Sequence, residues 1–189
     1  MKKTIFGTLV VKAYYDEDTN ELVIEVIHAT NIIALDDNGY SDPFVKVELC
    51  PNHKFPASKV CCTKTKHKTL HPIFDETFRF VLGPEKSTQK CHEPEVFILF
   101  SVYDYNLLFS NELVGEAILG WSNVREGVLN SNTPVQLHLT CVSDEECFIF
   151  HILKGRLDDE DAQEFVSKRN AVAAKACLKN KRIINESSS

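Results

Sequence analysis

Eight short runs rich in apolar and β-branched residues recur along the chain, each bounded by turn chemistry. This spacing constrains the fold more than any other feature. The runs fall at 7–15, 21–28, 44–49, 59–65, 74–82, 96–103, 113–119 and 135–139. Each has strand length, and the second alternates between apolar and polar residues from Glu21 to His28, as a strand with one buried face does. Asp16 to Asn20 supply a turn between the first two runs, which therefore read as a hairpin. Short strands at regular spacing predict an all-β chain, an eight-stranded antiparallel β-sandwich.

The texture changes near the C-terminus. Asp158, Asp159, Glu160 and Asp161 precede an Ala-rich stretch that ends with Lys175, Lys179, Lys181 and Arg182. Acids at the front and bases at the back suit a helix dipole, so a C-terminal α-helix is predicted over about 159–179. The apolar stretch 147–153 fits either a ninth strand or the start of a helix. The last four residues, 186–189, read as frayed. The expected division is a lead-in at 1–6, the sandwich at 7–153, and a helix with tail at 154–189.

Composition narrows the function. Lys and Arg number 21 against 27 Asp and Glu, a net charge of −6, which excludes a generally basic nucleic-acid binder. No apolar run reaches the roughly 18 to 20 residues of a membrane span. The start, Met1 to Phe6, does not develop into a secretory signal, because Lys12 and then Asp16, Glu17 and Asp18 interrupt the apolar stretch behind it. The 7 cysteines are odd in number and form no spacing framework, so they read mostly as small apolar side chains in a cytoplasmic protein. No Gly-x-Ser-x-Gly elbow, phosphate-cradling Gly loop or His-Glu-x-x-His motif is present. Cys62 with His67, and Cys91 with His92, are coincidental pairings in a chain with 7 of each residue type. Cys61, Cys62, His67 and His71 lack the paired Cys-x-x-Cys of a zinc knuckle. A non-enzymatic binding protein is expected.

Two inter-strand loops are rich in oxygen-bearing side chains. The first runs from Leu35 through Asp36, Asp37, Asn38 and Ser41 to Asp42; the other runs from Asp104 through Asn106 and Asn111 to Glu112. Either alone is explained by turn formation and solvation. Gathered at one end of a sandwich, they would repel one another without a counter-ion, and Ca²⁺ takes about 6 to 8 such oxygens. Within the later loop stand Leu107, Leu108 and Phe109. They either fold back onto the core or dip into a lipid interface, where each contributes about 1.5–3 kcal/mol before ordering costs.

Three separated motifs then carry a resemblance. Ala34-Leu35-Asp36 with Asp42-Pro43-Phe44-Val45, Leu70-His71-Pro72-Ile73-Phe74-Asp75-Glu76-Thr77-Phe78, and Val102-Tyr103-Asp104-Tyr105 with Leu113-Val114-Gly115-Glu116 occur in the order found in a C2 domain. The chain resembles that family over 7 to about 140, with a synaptotagmin-type strand order. Pro51 to Pro56 and the tail from Leu153 to Val166 are similar to the C-terminal C2 domain of the Munc family of vesicle-priming proteins. Within it, the likeness is to the granule-secretion and angiogenesis-inhibitor-associated branches.

The resemblance implies a Ca²⁺ site. Asp36 and Asp42 match the aspartates of the family's first loop and Asp104 the first of its third. Asn106 and Glu112 stand where the family usually has aspartates, which implies weaker binding. It further implies attachment to anionic phospholipid membranes, phosphatidylserine above all and phosphoinositides as a further class, with Leu107, Leu108 and Phe109 inserting. The localisation implied is cytoplasmic and peripheral, at the plasma membrane, secretory vesicles or late endosomal organelles. SNARE or Rab trafficking proteins are partners of a longer protein in this picture, and nucleic acid is not. Lys59, Lys64, Lys66 and Lys68 form a basic face on or beside the fourth predicted strand. That face belongs to a rival reading, a calcium-independent scaffold that binds protein partners or phosphoinositides.

Overall fold

The computed structural model describes residues 4–50, 60–82, 97–125, 129, 132–141, 148–169 and 174–187. Among the described residues eight strands form: β1 Thr8–Asp16, β2 Glu21–Thr30, β3 Pro43–Cys50, β4 Cys61–Cys62, β5 Ile73–Val81, β6 Phe97–Asp104, β7 Glu112–Gly120 and β8 Val135–His138. They make two antiparallel four-stranded sheets, ordered β5-β2-β1-β8 and β4-β3-β6-β7. The predicted sandwich is the observed fold.

Alternation builds the core. Leu9, Val11 and Ala13 of β1 and Leu22, Ile24 and Val26 of β2 are fully buried from the first sheet. They meet Val45 and Val47 of β3, Ile98, Phe100 and Val102 of β6, and Val114 of β7 from the second. Successive side chains point to opposite faces, so one register places every second residue in this layer. The expected boundary at residue 7 leaves out Phe6, whose ring is buried in the same core and whose N–H donates to Leu139 O at 2.8 Å. Gly7 follows with φ +140°, and a Cβ there would lie 2.8 Å from Ile32 Cγ2, so only glycine lets the chain enter this tightly.

The β6 strand is buried on both faces, from Phe97 to Val102. Its outward residues Phe97 and Leu99 are covered by helices: α2 (Phe148–Gly155) with Phe150 and Leu153, and α3 (Glu160–Lys168) with Ala162 and Val166. The ambiguous stretch at 147–153 is thus helical over its described part. Phe150 and Leu153, three residues apart, face the sheet while His151 and Lys154 are exposed. Asp159 caps α3 by accepting from Ala162 N at 3.0 Å. Arg169 then reaches the sheet, its Nη2 lying 3.3 Å from Glu116 Oε1.

Several expectations are corrected. The predicted C-terminal helix is observed as α3 and, further along the chain, α4 (Ala174–Ser187), with residues 170–173 outside the described set. Glu186 lies within α4 rather than in a frayed tail. A short α1 (Trp121–Arg125) follows β7, with Trp121 buried against the core and its ring edge-on to Tyr15. Cys141, expected as a plain apolar side chain, is disulfide-bonded, whereas Cys50 and Cys62 carry free thiols. Pro51 to Pro56, Cys91 and His92 lie outside the described residues.

The fourth strand is shorter than predicted. Thr63 ends its ladder, because its hydroxyl, in place of a backbone carbonyl, accepts the Val45 N–H at 2.9 Å. Beyond it the chain crosses the end of the sandwich as a loop.

Candidate functional site

Three loops meet at one end of the sandwich: 31–42, 63–72 and 105–111. Backbone bonds stitch them together, from Ile32 N to Leu70 O, Thr69 N to Ser41 O and Tyr105 N to Asp42 O. Ser41, fully buried, donates to Ile33 O and accepts from Leu35 N, which holds the first loop from inside. Asp36 begins a tight turn in which its C=O accepts from Gly39 N, at φ +80°.

Asp104 is the centre of this end. It closes β6, with Pro43 opposite on one side and Glu112 opposite on the other. The residue is only 5% exposed, and its carboxylate accepts Asp42 N at 2.5 Å. Burial pushes its pKa up, the Asp42 bond pulls it back, and the charges of Asp36, Asp42 and Glu112 push it further, to about 6. Three carboxylates from these loops therefore act on Asp104. Like charges directly opposed across strands are destabilising.

The protein itself answers part of this charge. Asp42 Oδ2 lies 2.9 Å from His67 Nδ1, and Asp42 Oδ1 accepts Lys68 N at 2.7 Å. Burial raises the Asp42 pKa, but the bonds from His67 and Lys68 outweigh it and leave the group below its ordinary value. Glu112 is bonded to Lys179 Nζ of α4. Asn106 Oδ1 accepts the N–H groups of Leu108 and Phe109 at 3.1 and 3.2 Å, so it faces its own loop. With these oxygens engaged, no three His, Cys, Asp or Glu side chains stand as a ready metal-binding group among the described residues.

Asn106 and Asn111 also shape the apolar tip. Asn106 N donates to Asn111 Oδ1 at 3.1 Å, which closes the loop on itself. Leu107, Leu108 and Phe109 are left 80%, 81% and 76% exposed. Of the two fates open to them from sequence, folding back onto the core is overturned. The polar caps satisfy the loop backbone, so the tip needs no support from these side chains.

The lysines are placed differently from the expectation. With β4 ending at Cys62, Lys64, Lys66 and Lys68 do not share a strand face. Lys64 N is tied to Glu76 Oε1, Lys66 N to Pro43 O, and Lys68 takes φ +52°. Lys66, His67 and Lys68 belong to the middle loop, at the same end as the apolar tip. Lys59 lies outside the described residues. Sequence reasoning missed His67 as a partner of Asp42, and missed Lys179. The run from Lys66 to Lys68 carried a signal for the former; nothing in the charged run of α4 singled out the latter.

The C2 domain family model matches residues 20–138, and the chain belongs to that family. Among curated proteins it is 37% identical to BAI1-associated protein 3 of Mus musculus, covering 89% of this chain and 15% of that protein. It is also 37% identical to Protein unc-13 homolog D of Homo sapiens, covering 90% and 16%. The chain thus spans less than a fifth of the length of either relative. Among solved structures, a RIM C2 domain from Drosophila aligns with a TM-score of 0.58 at 24% identity, covering 72% of this chain and all of that one. This last likeness shows the fold alone. The resemblance drawn from sequence, to C2 domains and to the Munc family, agrees with these relatives.

Proposed function

We propose that this chain binds anionic phospholipid membranes through its three-loop end, as the membrane-facing part of a vesicle-priming, tethering or exocytosis protein. The observation that carries this is the apolar tip. Three adjacent large side chains stand more than three-quarters exposed on a loop whose backbone is satisfied by Asn106 and Asn111. Such a tip has nothing to gain in water and several kcal/mol to gain at about 1.5–3 kcal/mol per side chain in an acyl region. Lys66 and Lys68 belong to the same end of the sandwich, each adding on the order of 1 kcal/mol near an anionic leaflet.

The donor set of this end suits a hard divalent cation. All its groups are oxygens, and the Asp104 carboxylate is buried near the charges of Asp36, Asp42 and Glu112. Asp36, Asp42 and Asp104 would hold Ca²⁺; Glu112 would join on leaving Lys179, and Asn106 would have to give up its loop cap. When bound, the ion supplies positive charge and open coordination positions for lipid phosphate. The Asp36 carboxylate, without a hydrogen-bond partner among the described residues, is the donor most ready to turn. Attachment is peripheral, on the cytoplasmic face of the plasma membrane, secretory vesicles or late endosomal organelles. SNARE or Rab proteins are proposed partners of a longer protein.

The rival reading, attachment without calcium, is favoured by the contacts already present, His67 on Asp42 and Lys179 on Glu112. The lysines of the middle loop, Lys64, Lys66 and Lys68, would then provide the whole attraction to phosphoinositides or a protein partner. Co-sedimentation with phosphatidylserine liposomes across a Ca²⁺ titration separates the two. Binding that rises with Ca²⁺ and is lost in Asp104→Asn is expected. Equal binding in chelator would overturn the calcium part and leave the membrane part. No binding at any Ca²⁺ concentration would overturn both.

A further inference from the structure

The C-terminal helix α4 is clamped to the strand that carries Glu112. Asn180 is 2% exposed, and its Nδ2 donates to Leu113 O at 2.9 Å and to Val114 O at 2.8 Å. These carbonyls belong to β7, the edge of its sheet. A buried side-chain amide that satisfies two adjacent edge carbonyls fixes both the register and the rotation of the helix. The residue before it, Lys179, is thereby delivered to Glu112, where Nζ and Oε2 are bonded.

An exposed Lys–Glu pair usually contributes little, because two long side chains must be held in one geometry. Here the backbone of one partner is anchored one residue away and the other begins a strand, so much of that ordering is already done. Glu112 in turn lies opposite Asp104 in the β6–β7 ladder. The ammonium is therefore held at the Glu112 edge of the carboxylates of the loop end.

We infer that Lys179 is a tethered counter-cation of the loop end, and that a divalent cation bound there competes with it for Glu112. This rests on the calcium reading above and deepens it: α4 sets the affinity of the site. Because coupling is reciprocal, a cation that takes Glu112 also weakens the hold of α4 on β7. The segment beyond the sandwich then acts as a regulator of membrane attachment rather than as a passive cover.

The test is Ca²⁺ titration by isothermal calorimetry of the whole chain, as wild type, Lys179→Gln and Lys175→Gln. Lys175 is exposed one turn earlier in α4 and serves as the control for net charge. Removing a unit charge close to a dication in a largely aqueous setting changes affinity by about 3- to 10-fold. Lys179→Gln is expected to bind that much more tightly, with Lys175→Gln near wild type. In the wild type, the Asn180 side-chain amide resonances are expected to shift as Ca²⁺ is added. Equal affinities for wild type and Lys179→Gln, or equal gains in both variants, would overturn the counter-cation while leaving the calcium site intact. Heat from none of the three would overturn the site and the competition together.

Discussion

Replacing Leu107, Leu108 and Phe109 together by alanine should abolish most membrane affinity and leave the fold untouched. Each of these side chains is 76–81% exposed in the free chain, so nearly all of its surface is available for transfer. At about 1.5–3 kcal/mol for full burial, the three hold roughly 4–7 kcal/mol. Partial immersion in an interface and the ordering of the side chains reduce this by about half, to roughly 2–3.5 kcal/mol. At about 1.4 kcal/mol per decade, the triple variant should bind roughly 30- to 300-fold more weakly. The assay is a liposome titration with phosphatidylserine vesicles at a fixed Ca²⁺ concentration, followed by co-sedimentation. Keeping Asn106 and Asn111 preserves the bonds that shape the loop. The melting temperature should move by no more than about 2 °C, because exposed side chains contribute little to stability. A triple variant with unchanged Tm that binds within about threefold of wild type would refute insertion. An unchanged affinity with a lowered Tm would place these residues in the packing instead.

Two further predictions concern buried charge. Asp104 binds its proton more tightly in the folded chain, at about 6, than at its ordinary value of 3.8. Folding therefore carries the full penalty of its charge above pH 6, and the native state regains that stability as pH falls from about 6 toward 4. Asp104→Asn should stabilise the chain by about 1–3 kcal/mol at about pH 7.5 in chelator, and the gain should disappear below about pH 4 in urea melts. A variant that is less stable at neutral pH would show that the Asp42 N–H bond outweighs the repulsion. The second concerns Glu116, 3% exposed, which accepts from Ser101 Oγ at 2.9 Å and faces Arg169. Arg169→Met leaves that carboxylate buried with only a hydroxyl and should cost about 3 kcal/mol, while adding Glu116→Gln should recover most of it. Chemical denaturation of the three proteins measures this, and equal losses in single and double variants would rule it out.

Much of the fold was legible because it depends on local periodicity. The hairpin of β1 and β2 and the central strands follow from alternation alone, and their predicted bounds lie close to those observed. The fourth strand failed for a non-local reason: the Thr63 hydroxyl takes the bond that a ladder would have used, and no pattern in the run at 59–65 announces this. In the tail, charge order predicted a helix and helix is observed in α3 and α4, but where it docks was not legible, because Arg169 meets Glu116 and Asn180 meets β7 across long separations.

Sequence by itself determined the two-sheet architecture, the family and the presence of oxygen-rich loops around an apolar tip, since strand period and motif order are written residue by residue. Only tertiary structure decided which of those oxygens are engaged. Asp42 turns to His67, Glu112 to Lys179 and Asn106 to its own loop, across separations of 25 and 67 residues in the first two cases. Those pairings depend on where distant segments come to rest, and a short-range electrostatic contact of a few ångströms leaves no trace in the spacing of the chain.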